Sequence, residues 1–335
     1  MTRLLGMFRG MGALALLPLS AVPLLLVGPS LVNSHARFDR KYHSAPFAAP
    51  LVYFTPATIA RYKPVAPYTG AVPVLAYHGI NENNDHYSVS REEFARQMAM
   101  LEHSGYRTIT IAQYLRFRAG DDRGLPPRPI LITFDDGRLD SYRGADKVLA
   151  QYGMHAVMYV ITGPVKAGNA FHLSWEELHR MHDSGRWDIQ PHAHDGHRLI
   201  TTDPAGDSGP FYSNLAYTRS DGFETFAAYS QRVASDVYEV KDDFKAQGLS
   251  SNTFAVPFGD HGQSAKDPRV GKFLDELLAT QFRVTFIQAD DNEPRYTRPT
   301  GPAYRYELFT ATTTDMLHRW LVHHDPGMRS AEAGA

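Results

Sequence analysis

The sequence predicts an α/β fold built on parallel strands, and three observations predict it. Short apolar, β-type runs alternate along the chain with stretches of helical character. Two of those helices open on capping-box patterns, Ser90-Arg91-Glu92-Glu93 and Ser174-Trp175-Glu176-Glu177. His78, Asp135, Asp136, His192 and Pro257 all follow the C-terminal ends of predicted strands, the end that carries chemistry in barrels. There are enough strand–helix units for a barrel as well as for an open sheet, and no internal repeat is visible. The 335 residues suffice for one large α/β domain or two small ones.

The elements follow in order. Arg3 and Arg9 precede an apolar stretch from about Met11 to Val32 that contains Pro18, Pro23 and Pro29. It reads as a secretory signal or a single membrane anchor, and Ser34-His35-Ala36 offers small residues at a peptidase-compatible spacing. Cleavage and retention both stay open; in either case the arginines stay cytoplasmic and the rest is exported. We assign 1–36 to this segment, 37–70 to a Pro-, Ala- and Tyr-rich linker or wrapping arm, 71–325 to the globular domain, and 326–335 to a disordered tail. The domain opens with an apolar strand, 72–77, ending at His78. The helix opened by Ser90 carries the stripe Phe94, Met98, Leu101 and stops at Gly105. A β-branched run covers 108–111, and a buried strand, 129–132, leads into Thr133-Phe134-Asp135-Asp136-Gly137. A helix over 141–152 and a strand over 156–161 come next, then the helix opened by Ser174, which ends near Gly185. Strand 187–190 runs into Pro191-His192-Ala193-His194-Asp195-Gly196-His197. A polar insertion spans 201–222 and a long helix 224–247. The rest reads as strand 253–256, helix 270–280, strands 283–287 and 306–310, and a last helix over 315–323.

Composition excludes several classes. A formal net charge of -2 does not suggest a polyanion-binding surface, so nucleic acid is not an expected partner. The chain has no cysteine, which rules out disulfides and thiolate metal sites; any metal must be held by His, Asp or Glu. Two adjacent carboxylates at the end of a buried strand are costly without positive charge beside them. A metal ion would supply it and would let the two acids differ in role: one ligates, the other takes a proton from water as general base. The plainer reading is that Asp135 and Asp136 cap a helix or form a turn. The three histidines supply the remaining ligands of a two-His, one-carboxylate site. Spacing leaves their choice open. His192 and His194 share a face if the strand continues, His194 and His197 share one on a helical turn, and His192 with His197 requires a curved loop, for which Gly196 is suited.

These residues resemble the polysaccharide deacetylases with NodB homology, carbohydrate esterase family 4, over about 72–321. Val74-Leu75-Ala76-Tyr77-His78 is similar to that family's first strand, and Thr133–Gly137 to its first catalytic motif. The resemblance implies Asp135 as base and Asp136 as metal ligand. The histidine cluster resembles the second motif in the form found in the poly-N-acetylglucosamine deacetylase branch, which implies His192 and His197 as the other ligands. Phe254-Ala255-Val256-Pro257-Phe258-Gly259 resembles the third motif of that branch, implying that Pro257, Phe258 and Gly259 line the oxyanion region. The implied fold is a distorted (β/α) barrel over 71–325. The implied reaction is removal of N-acetyl groups from an extracytoplasmic N-acetylglucosamine polysaccharide with a divalent ion, Zn²⁺ expected and other transition metals open. The implied partners are the polysaccharide and, if the N-terminal segment is retained, the membrane. There are departures. Ala193 stands where many relatives have Ser or Thr, and the usual Arg of the third motif is absent. No late histidine motif is recognisable, because His318 falls on a predicted helix. The general acid is therefore open among His78, His194 and His261, each of which has an ordinary surface or core reading. The alternative function is a non-catalytic carbohydrate-binding or envelope scaffold protein on the same fold.

Overall fold

The strands form because β-branched and aromatic runs are buried on both faces, the pattern of a parallel sheet covered by helices. The computed structural model describes residues 44–63, 70–83, 85–263, 265–288 and 296–326. The expected signal or anchor segment, parts of the arm, and all of the expected tail except Pro326 lie outside the described residues. Among the described residues, no helix is long and apolar enough to cross a membrane. The arm is not featureless. Thr55 caps a short helix, α1 (Pro56–Arg61), with Pro56 at its first turn. Tyr62 is buried in the main core, and Phe54 packs against it.

The domain begins with β1 (Val74–Tyr77), entirely buried, followed by the short pair β2 (Gly79–Ile80) and β3 (Ser88–Val89). Ser90 caps α2 (Arg91–His103), but its capping box is half made. Ser90 accepts from the Glu93 N–H, while the Glu93 carboxylate turns to the backbone and hydroxyl of Thr314. The β-branched run divides: β4 (Arg107–Thr108) is strand, whereas Thr110 starts a full capping box with Gln113 on α3 (Ile111–Arg118). Next come β5 (Pro129–Phe134), α4 (Leu139–Gln151), β6 (Ala156–Ile161) and the short α5 (Thr162–Lys166). Ser174 and Glu177 complete the box on α6 (Trp175–Asp183), and β7 (Trp187–Ala193) follows. The insertion folds into two small hairpins, β8 (Leu199–Thr201) with β9 (Ser208–Pro210) and β10 (Tyr217–Thr218) with β11 (Gly222–Phe223). The chain ends through α7 (Phe226–Ala246), β12 (Thr253–Ala255), α8 (Pro268–Gln281), β13 (Val284–Ile287), β14 (Ala303–Tyr304), β15 (Tyr306–Glu307) and α9 (Thr314–His324).

The pairing sets the main strands in two parallel sheets. One parallel sheet runs β15-β1-β5-β6-β7, with β4 added on β5, and a second runs β12-β13-β14. The backbone ladder that would join β7 to β12 and close a barrel is not formed among the described residues. Side chains bridge the gap instead. Gln190 accepts from the Asn252 and Thr253 N–H groups at 2.9 and 2.8 Å and donates to the Ser250 carbonyl. At the other end a single extended segment changes sheets: β14 pairs with β13, β15 pairs with β1, and Arg305 lies between them. Alternate residues of both sheets, among them Val74, Leu131, Val157, Tyr159, Ala255 and Phe286, meet in one inner apolar cluster, and the opposite faces pack under the helices.

Gln190 thus takes the place of a strand pairing. Gln190→Ala should lower stability by about 2–3 kcal/mol, because it leaves buried backbone donors without an acceptor. Urea unfolding measures this, and an unchanged midpoint would show that the side chain is not a staple.

Candidate metal centre

β5 delivers the two carboxylates. The Thr133 hydroxyl donates to the Leu75 carbonyl and the Asp135 N–H to the Tyr77 carbonyl, so the strand stays paired up to Asp135. The chain then reverses through two left-handed residues, Asp136 at φ 72° and Gly137 at φ 68°. Asp is one of the few side chains that tolerates this conformation, and such residues cluster at functional sites. Neither acid caps the next helix: Arg138 occupies the N-cap of α4 and makes no side-chain cap bond. The helix-cap reading of the pair therefore does not hold.

Asp135 is buried, and both its oxygens accept from Arg305, at 2.6 and 2.7 Å. Burial pushes its carboxyl up, but Arg305, His192 and His78 outweigh that and hold it well below the usual carboxylate range. Asp136 has no such partner. Its Oδ1 is buried and accepts no hydrogen bond among the described residues. That oxygen lies 3.7 Å from His192 Nε2 and 3.4 Å from His197 Nε2. One ligand atom from each of the three residues falls within 4.8 Å of the others. Tetrahedral ligands at ~2.0–2.1 Å from an ion stand roughly 3.4 Å apart, so the three residues fit a divalent ion. His192 Nδ1 donates to the Ala255 carbonyl at 2.7 Å, which leaves Nε2 as the lone-pair nitrogen aimed at Asp136. Burial pushes the His192 imidazole down to about 4, so at neutral pH it is uncharged, as a ligand must be.

The centre forms the floor of a cavity of about 470 Å³. His78, at the end of β1, lines it and is almost fully buried; its Nε2 lies 3.5 Å from Glu307 Oε1. Burial raises the Glu307 carboxyl against the pull of His78 and Arg305, and Gln288 donates to its other oxygen. Phe258 and Gly259 also line the cavity, in a tight turn with φ of 60° and 64°. The Gly259 N–H is committed to the Val256 carbonyl. Pro257, the first residue of this turn, is buried and does not line the cavity.

Two expected candidates lie elsewhere. The strand ends at Ala193, so His194 turns outward to Asp243, Thr162 and Glu239 instead of sharing a face with His192. His261 sits against Asp275 on α8. His318 lies on α9, its ring tilted against that of Tyr62. The residues that sequence reasoning missed are Arg305, Glu307 and Gln288. They lie in or beside late, short strands with no motif; the signal available was the cation that a buried Asp135 requires.

The Asp135–Arg305 pair makes a direct prediction. Arg305→Met should destabilise the protein by about 3–5 kcal/mol by leaving a buried carboxylate uncompensated. Adding Asp135→Asn in the same chain should recover part of that loss in denaturant unfolding, and additive losses would show that the two residues are not coupled.

Comparison with known proteins finds relatives for part of the chain. Residues 122–269 match the family model described as polysaccharide deacetylase. The poly-beta-1,6-N-acetyl-D-glucosamine N-deacetylase of Staphylococcus epidermidis is 32% identical over 184 residues, covering 51% of this chain and 61% of the relative. The chain spans 39% to 61% of the length of the curated relatives it matches first. Among solved structures, IcaB from Ammonifex degensii superposes with a TM-score of 0.56 at 26% identity, over 76% of this chain and 97% of that one. A de-N-acetylase from Aggregatibacter actinomycetemcomitans superposes with a TM-score of 0.65 at 19% identity, over 75% and 99%, and speaks for the fold alone. The turn after β5 and the histidine loop after β7 both lie inside the stretch, 122–269, that matches the polysaccharide deacetylase family model.

Proposed function

We propose that the protein removes N-acetyl groups hydrolytically from an N-acetylglucosamine polysaccharide outside the cytoplasm, using a divalent ion held by Asp136, His192 and His197. The observation that carries this reading is the orphaned Asp136 Oδ1 between two imidazole nitrogens, with a second carboxylate, Asp135, in the same cavity. The matched family model and the names of the curated relatives support the substrate class. The arginines and apolar run at 3–32 support export. Strands of both sheets around one inner cluster support a distorted (β/α) barrel as the scaffold.

When bound, the ion, Zn²⁺ being the expected one, supplies the positive charge that acidifies a water and polarises the acetyl carbonyl, so that even a weak base suffices. Asp135, kept ionised by Arg305, accepts the proton of the attacking water. The backbone N–H of Phe258, at the cavity wall, is the donor offered to the carbonyl oxygen as it gains charge. His78 donates the proton that the sugar nitrogen needs as the C–N bond breaks, and Glu307 at 3.5 Å orients it. Water adds across the amide, acetate leaves, and the amine stays on the polymer.

Acetate release from poly-β-1,6-N-acetylglucosamine, chitin oligomers and peptidoglycan should appear with at least one of the three. A strong chelator should abolish it and Zn²⁺ should restore it. Asp135→Asn should lower kcat by about 10²–10⁴, the range of a lost general base; wild-type turnover in this variant would overturn the mechanism. Sugar binding without acetate release by Zn²⁺-replete protein would favour the non-catalytic alternative. His78→Ala should cut kcat by a similar ~10²–10⁴ with KM little changed, and an unaltered kcat would remove His78 as the acid.

A further inference from the structure

The insertion between His197 and α7 lines no part of the catalytic cavity, yet it meets the histidine loop from behind. That loop has a difficult shape. Five residues of extended chain span about 16 Å, whereas the His192 and His197 rings lie 4.9 Å apart. The chain between them must double back and stay there. A second cavity, about 520 Å³, opens on the rear side of the loop beside Gly163, His194, Asp195 and Arg198, so the fold-back is not simply pressed into shape by apolar core.

Asp236 on α7 meets the loop where it turns. It is 6% exposed. Its Oδ1 accepts the His194 N–H at 3.0 Å and its Oδ2 the Asp195 N–H at 2.6 Å, both from residues between the two ligands. The buried phenol of Tyr212, from the insertion, donates to the same Oδ1, and Tyr229 on α7 donates to the Tyr212 carbonyl at 2.6 Å. Gly196 closes against this pair. It does not take a left-handed φ; a Cβ there would meet the Tyr212 ring at 2.7 Å and Asp236 Oδ1 at 3.0 Å. The outward-turned His194 adds a third tie. Its Nδ1 lies 2.9 Å from Asp243 and its carbonyl accepts the Gly163 N–H at 2.8 Å.

We propose that Asp236, braced by Tyr212 from the insertion, is a positioning group that holds the 192–197 loop in its ion-binding form. The inference rests on the reading of Asp136, His192 and His197 as ligands. A carboxylate that anchors two backbone amides between two ligands acts on ligand geometry as an outer partner does, and loss of such partners weakens metal affinity by about 10- to 100-fold.

The test is Zn²⁺ titration by calorimetry on the full chain, wild type beside Asp236→Asn, Tyr212→Phe and, as ligand control, His197→Ala. The visible spectrum of the Co²⁺-loaded proteins and the melting temperature of each apoprotein are read in parallel. The asparagine keeps the shape but turns an NH₂ towards one of the loop amides. We expect its Zn²⁺ dissociation constant to rise about 10- to 100-fold, with an altered Co²⁺ spectrum. Tyr212→Phe should move both in the same direction while its apoprotein melts near wild type; this variant decides the matter if Asp236→Asn does not fold. Wild-type Zn²⁺ affinity and an unchanged Co²⁺ spectrum in Tyr212→Phe and any folded Asp236→Asn would overturn the proposal and leave the ligand reading standing. A wild-type chain that binds no Zn²⁺, or a His197→Ala variant that binds as tightly as wild type, would overturn the ligand reading and the proposal with it.

Discussion

A carboxylate at the end of a buried strand has to be met by positive charge or be protonated, and at the end of β5 the first happens. Arg305 grips both oxygens of Asp135 from the point where one extended segment leaves β13 and joins β1. The pair therefore fixes more than a charge. It ties the last strands of the chain to the middle of the main sheet, and with Gln190 spanning β7 and β12 it keeps strands of both sheets around one apolar interior. Breaking such a pair costs more than never having built it, because the remaining ion stays buried. A hydrophobic pair could serve the fold as well, so the ion pair is better understood through the site it serves.

That site depends on two neighbouring acids having opposite surroundings. Asp135 faces a permanent cation and stays ionised. Asp136, one residue on and turned by a left-handed backbone, faces two imidazoles, one of which burial keeps neutral. Among the described residues its Oδ1 accepts no hydrogen bond, which leaves that oxygen open to an ion. The same sequence pair thus yields one group with a built-in partner and one that awaits a partner. Glu307 is a third case: burial raises its carboxyl, against the pull of His78 and Arg305 beside it.

Much of this was legible in the sequence for physical reasons. β5 and β6 read as strands because a strand buried on both faces is one continuous apolar run, and Ser174–Glu177 read as a helix start because its capping box is made in full. The Asp pair stood out because burial makes it expensive. Other features were hidden. The helix after Thr110 was masked by the β-branched run before it, since Thr caps helices as readily as it fills strands. Glu93 left its box because Thr314, 221 residues away, offers a backbone N–H and a hydroxyl together. Arg305 was missed since its partner is 170 residues distant and its own surroundings, Tyr304 and Tyr306, look like any edge of a sheet. Barrel closure was beyond reach because a strand count says nothing of whether two edges pair by backbone or by a glutamine.

The histidine cluster shows where periodicity stops being a guide. If β7 had continued, His192 and His194 would have shared a face, and the alternation of a strand would have chosen the ligands. The strand ends at Ala193 because the next two amides find Asp236 instead of a neighbouring strand, and that exchange rotates His194 out towards α7. On the proposed reading, the ligand pair is then decided by an acid 39 residues beyond His197 and by a tyrosine in the polar insertion. Local spacing could offer three pairings but could not rank them, since the deciding interactions belong to other elements. The shape of the loop is therefore a tertiary property, borrowed from the face of α7 that carries Tyr229, Asp236 and Asp243, and the insertion between them is what brings Tyr212 into place.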